Sequence, residues 1–89
     1  MEVKLTKVAD KQKCPKHIQI KFDYWVDLVI TTGLREVRKY RGFHDEPLQG
    51  TRWGQRSVRL SKAYRIIYRE FKGLRFEVIE VIEVNKHEY

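Results

Sequence analysis

From Arg56 the chain turns to apolar–polar alternation of period two, and the strand-like runs that follow are separated by two short turn-like segments, which points to an antiparallel sheet. Val58 and Leu60 fall on one face, with Ser57 and Arg59 on the other. Ser61-Lys62-Ala63 interrupts the run, Tyr64 to Phe71 returns, Lys72-Gly73-Leu74 turns again, and Arg75 to Val84 makes a last strand rich in Val and Ile. Apolar residues occupy both faces of that last run, which predicts a strand central to the sheet. Glu77, Glu80 and Glu83 would also suit one face of a helix. The β-branched content and the preceding turn decide for a strand, with these glutamates paired to arginines of a neighbouring strand.

The N-terminal part reads differently. Val3 and Leu5 alternate with polar neighbours as a short strand joining the same sheet. A helix is predicted to begin around Asp10 and Pro15 and to end at Gly33, with Ile18, Phe22, Trp25, Val26 and Val29 at helical spacing. Ile18, Ile20, Phe22 and Tyr24 also alternate as a strand would, but the length of the segment favours the helix. Leu34 to Tyr40 predicts a second, shorter helix, so that the two form a hairpin, and Gly42, Pro47, Gly50 and Gly54 punctuate a loop leading to the strands. The expected fold class is α+β: a short strand, a helical hairpin and an antiparallel twisted sheet, in one domain spanning residues 1–89.

A chain of 89 residues with 42% hydrophobic residues supports one core without metal or disulfide staples. The single Cys14 excludes an internal disulfide, and Cys14, His17 and His44 fall short of a four-ligand zinc site before the C-terminus. The opening Met-Glu-Val-Lys lacks the apolar core of a signal peptide, and no run reaches membrane-spanning length, so a cytoplasmic protein with no membrane association is expected.

The formal charge of +7 points to an acidic partner, and the cations are not evenly spread. Arg52, Arg56, Arg59, Lys62, Arg65, Arg69, Lys72 and Arg75 face a single acid, Glu70, in the same stretch, interleaved with Trp53, Tyr64 and Tyr68. A polyanion with stackable bases suits that composition. Trp53 reads either as a stacking platform or, given its bulk, as a plug of the loop against the core. Arg65 reads equally as a phosphate contact and as the cross-strand partner of a glutamate. Glu46, beside His44 and Asp45, offers a carboxylate base near the cationic strands. His87 and Tyr89 follow the last strand at the rim of the sheet, where a proton donor, a capping contact or a solvated tail would each fit.

Taken together, Glu46-Pro47-Leu48-Gln49-Gly50, Gly54-Gln55-Arg56-Ser57-Val58-Arg59-Leu60, Tyr64-Arg65-Ile66-Ile67-Tyr68 and Val84-Asn85-Lys86-His87-Glu88-Tyr89 resemble the RelE/ParE toxin superfamily of bacterial type II toxin–antitoxin systems, nearest its RelE, YoeB and HigB mRNA interferases. The resemblance implies a strand, a helical hairpin and a curled sheet. It also implies cleavage of mRNA in the ribosomal A site by attack of a ribose 2′-hydroxyl on the adjacent phosphate, with no metal and no cofactor. By motif, Glu46 would be the base, Arg65 the phosphate clamp, His87 the acid and Tyr89 a group that orients the nucleotide. Arg52, Arg56, Arg59 and Lys62 would contact RNA, and a cognate antitoxin protein would hold the toxin inactive. Glu88 separates His87 from Tyr89, where YoeB-like chains close with the two adjacent. The other functions open to such a chain are ParE-like inhibition of DNA gyrase and plain binding of RNA or ribosomes.

Overall fold

The computed structural model describes residues 2–11, 13–71 and 75–83. Strand β1 (Glu2–Leu5) leads into a one-turn helix α1 (Lys7–Lys11), the long helix α2 (Lys16–Thr32) and another single turn, α3 (Leu34–Val37). A loop region with two 3₁₀ turns, Arg41–Phe43 and Gly50–Arg52, carries the two-residue edge strand β2 (Glu46–Pro47). Strands β3 (Arg56–Arg59), β4 (Tyr64–Phe71) and β5 (Arg75–Glu83) complete a five-stranded sheet in the order β1-β5-β4-β3-β2.

Helix α2 follows from its spacing: Ile18, Phe22, Trp25 and Val29 form one buried stripe, while Ile20 and Tyr24, which a strand would have placed beside Ile18 and Phe22, are 59% and 56% exposed. Trp25 tilts against Tyr68 of β4 at 5.3 Å between ring centroids, and Val58, Leu60, Ile66 and Val78 close the core from the sheet. The helix ends at Gly33, whose φ of 97° and ψ of 144° lie in a region that only glycine occupies without strain. No neighbouring atom would obstruct a methyl group there. Gly33→Ala is therefore expected to lower stability by about 1–3 kcal/mol through the backbone alone, a cost that urea unfolding with an unchanged m-value would register.

Several features depart from the sequence reading. Asp10 lies in α1, separate from α2, because the Thr6 hydroxyl accepts the Ala9 amide at 3.2 Å and caps a first helical turn of its own. The second helix of the expected hairpin shrinks to Leu34–Val37, although Leu34 and Val37 do enter the core; the chain then bends through Tyr40. The sheet is mixed: β1 pairs in parallel with β5, Val3 opposite Phe76 and Leu5 opposite Val78, and the long connection that a parallel pair needs runs through the helices and then β2, β3 and β4. The other pairings are antiparallel, and β5 is an interior strand, flanked by β1 and β4, as its sequence predicts.

Candidate active site

Register fixes which side chains share the face of the sheet turned away from the helices. Glu46 of β2 lies opposite Ser57 of β3, Ser57 opposite Ile67 of β4, and Arg59 opposite Arg65. Directly paired residues point to the same side and successive residues alternate, so these five stand on one face while Val58, Ile66 and Tyr68 enter the core. Arg65 directs Nη1 to within 4.0 Å of Glu46 Oε1 and 3.5 Å of the Ser57 hydroxyl. On the other side of the same carboxylate, His44 Nε2 lies 3.4 Å from Oε2. Glu46 is 47% exposed and Arg65 24%, so the pair is open to a ligand. An exposed ion pair at this separation contributes no more than about 1 kcal/mol and leaves both groups able to exchange each other for an incoming hydroxyl and phosphate.

The arginine pair across β3 and β4 has a further meaning. Like charges directly opposite one another weaken a sheet, and among the described residues no carboxylate neutralises Arg59, which is exposed. An arginine pair that weakens the sheet and has no counterion for Arg59 among the described residues suits an anion supplied from outside. Arg69, the next cation of β4 on this side, is instead bound to Glu77 of β5 at 2.9 Å, in keeping with the expected strand pairing of the glutamates. The side chains of Glu80 and Glu83 lie outside the described set, as do His87 and Tyr89 altogether.

The other cations predicted to meet RNA separate. Arg56 is opposite Tyr68 and therefore faces the helix side, away from Arg65. Its Nε donates to Asp45 Oδ1 at 2.6 Å, the Tyr68 hydroxyl donates to Asp45 Oδ2 at 2.6 Å, and Arg38 donates to the Tyr68 oxygen at 3.2 Å and to Glu70 at 2.8 Å. Arg52, in the turn Gly50–Arg52, donates to Gln55 at 3.1 Å, and Lys62 is exposed in the bend between β3 and β4. Trp53 is 81% exposed, which overturns its reading as a plug: the glycine-rich loop holds it outward. No group of three or more metal-ligating side chains occurs among the described residues.

No protein-family model matches the chain, and a search of curated proteins finds no match. Solved structures do match. A YoeB/ParE toxin from Agrobacterium tumefaciens superposes with a TM-score of 0.67 at 23% identity, over 96% of this chain and 100% of that one. The archaeal RelE–RelB complex from Pyrococcus horikoshii gives 0.70 at 24% identity over 96% of each chain, and the E. coli DinJ–YafQ toxin–antitoxin complex 0.66 at 18% over 92% and 90%. The chain has the RelE-like toxin fold.

Within this RelE-like fold, the buried Asp45 network is the feature that the residue pattern did not reveal. Its signal was present: Arg56 occupies a core-facing position two residues before Val58, and a charge there requires a buried partner. The network bolts β2 to β4 and to Arg38 just after α3, and so fixes the residue preceding Glu46. The Asp45 side chain is only 2% exposed. His44, just before it, takes the left-handed backbone conformation with φ 45°, which turns the chain into this short strand.

Burial raises the Tyr68 phenol well above its ordinary value of 10.0, the hydrogen bond and charge of Asp45 raise it further, and Arg38 only partly opposes them. The folded state therefore holds the phenolic proton more tightly than the unfolded chain does. That contribution to stability is fully present below about pH 10 and is lost as pH rises toward the folded value. Tyr68→Phe is expected to flatten the fall in thermal midpoint above pH 10 relative to the parent, although it removes the hydroxyl contact at neutral pH. An equally steep alkaline fall in the variant would assign that loss to other groups.

Proposed function

We propose that this chain is the toxin of a type II toxin–antitoxin pair and acts in the cytoplasm as a ribosome-dependent mRNA endoribonuclease. The reading rests on one observation above all: a carboxylate and an arginine 4.0 Å apart on an exposed sheet face, beside a second arginine without a carboxylate partner among the described residues. Cleavage by a neighbouring hydroxyl needs a proton acceptor next to a fixed cation, because a nucleophile is unmasked while negative charge accumulates on phosphorus.

In this mechanism the Glu46 carboxylate takes the proton of the ribose 2′-hydroxyl, and the oxygen forms a bond to the adjacent phosphorus. Arg65, with Arg59 opposite it in the strand register, opposes the charge on the equatorial oxygens. The bond to the 5′-oxygen breaks, and that oxygen leaves with a proton from His87, while Tyr89 orients the nucleotide. The products are a 2′,3′-cyclic phosphate and a 5′-hydroxyl, with no metal or cofactor required. The ribosomal A site would supply the strained, single-stranded substrate. The likeness to toxins solved in the RelE–RelB and DinJ–YafQ complexes supports a cognate antitoxin as the silencing partner.

Inducing the protein in a bacterial host and mapping mRNA 5′ ends tests this reading. Codon-phased ends that vanish when initiation is blocked are expected. Phased ends that persist without translation would remove the ribosome from the mechanism, and growth arrest with intact mRNA would favour a non-nucleolytic toxin.

A further inference from the structure

Three aromatic rings cluster at the edge of the helix side. Tyr40 stacks on Phe43 with centroids 6.0 Å apart and planes at 15°, and Tyr24 of α2 leans on Phe43 at 6.5 Å and 40°. Tyr24 is 56% exposed and Tyr40 42%, so their faces are only partly used by the protein. They border an open groove of about 290 Å³ with Lys21 at one side and Arg59 at the other, and no carboxylate lines it. A second groove, of about 390 Å³, lies along α1 and α2 but is lined by Asp10, Asp23 and Asp27. Charge decides between them, since an anion is repelled by the second and drawn to the first.

We propose that the groove of Tyr24, Tyr40 and Phe43 is a nucleobase subsite for single-stranded RNA, holding a base that flanks the cleaved linkage. The inference deepens the endoribonuclease reading and rests on it for the identity of the ligand. Aromatic faces beside cations are the common means of gripping a single strand without reading its sequence. Arg59 links the groove to the reacting centre, because it lines the groove and also sits directly opposite Arg65 in the strand register. The groove and the reacting centre thus share one arginine, to which the backbone of a strand with a base on Tyr24 would be drawn. Among the described residues neither Lys21 nor Arg59 is engaged by a carboxylate, so both are available to phosphate.

The test uses RNA hexanucleotides carrying 2-aminopurine at each position in turn, titrated with purified protein at low salt, with ribosomes absent. Stacking is expected to quench the probe, and Tyr24→Ala to weaken binding by about 5- to 100-fold, the range for loss of one stacking contact. Tyr24→Trp should restore binding, and Lys21→Glu should weaken it with a reduced salt dependence. Because Tyr24 is more than half exposed, these variants should retain the parent melting temperature. Quenching without any cleavage on programmed ribosomes would support the subsite while removing the nuclease reading. Cleavage by the parent with unchanged binding and quenching in Tyr24→Ala would overturn the subsite alone. Loss of binding to an antitoxin protein in Tyr24→Ala, with RNA binding intact, would likewise overturn it and assign the groove to protein.

Discussion

Replacing Arg65 by alanine is expected to leave the protein folded and to slow RNA cleavage by about 10²–10³-fold, the range lost when one preorganised donor is taken from a developing anion. The expectation follows from how little Arg65 does for the fold. Its polar contacts among the described residues are a 4.0 Å approach to a half-exposed carboxylate and a 3.5 Å hydrogen bond to Ser57, at the outer limit for such a bond. Their removal should cost about 1 kcal/mol or less. Arg65→Lys keeps the charge but not the planar fork that meets two phosphate oxygens, so it should recover only part of the rate. Single-turnover cleavage measured beside thermal melting separates the roles. A variant that melts much earlier yet cuts normally per folded molecule would make Arg65 a structural residue.

Asp45→Ala should have the opposite profile, with a loss of stability of about 3 kcal/mol. One carboxylate holds Arg56 at 2.6 Å and the Tyr68 hydroxyl at 2.6 Å, and its side chain is 2% exposed. Removing it leaves a guanidinium and a phenol without the acceptor they share. The lower end of the range for a broken buried pair applies because Arg56 itself is 27% exposed and water can reach it. Asp45→Asn keeps one acceptor and should lose less. Since Asp45 is the anchored residue directly before Glu46, cleavage should fall along with stability, and lowering the temperature until the variant is folded should recover part of it. A urea midpoint indistinguishable from that of the parent would show that the network contributes little.

The sheet was legible because β3 alternates, β4 and β5 are rich in β-branched and aromatic residues, and turn residues separate the three, which fall where the pattern places them. Helix α2 was legible because four large residues recur at one face. The parallel placement of β1 was not, since four residues carry no information about which distant edge they join or in which direction. The end of α3 is not legible in the sequence because Leu34, Val37 and Tyr40 keep helical spacing while the hydrogen bonds past Val37 tighten into turns. Glu46 and Arg65 were legible as candidates, but their neighbourhood was not. The approach of two groups 19 positions apart depends on the pairing of β2 with β3 and β3 with β4. The face of Arg56 could have been read from Val58. What fixed it was the partner, Asp45, in a segment that looked like loop.

The measurement that bears most directly on the proposed activity is cleavage by purified protein of an mRNA positioned with a defined codon in the A site of initiated ribosomes, in a single turnover and with a chelator present. The account predicts one cut within that codon, a 5′-hydroxyl on the downstream fragment, a 2′,3′-cyclic phosphate on the upstream one, and loss of the cut in Glu46→Gln and Arg65→Ala. Intact mRNA under these conditions, with protein that is folded and binds the ribosome, would contradict it.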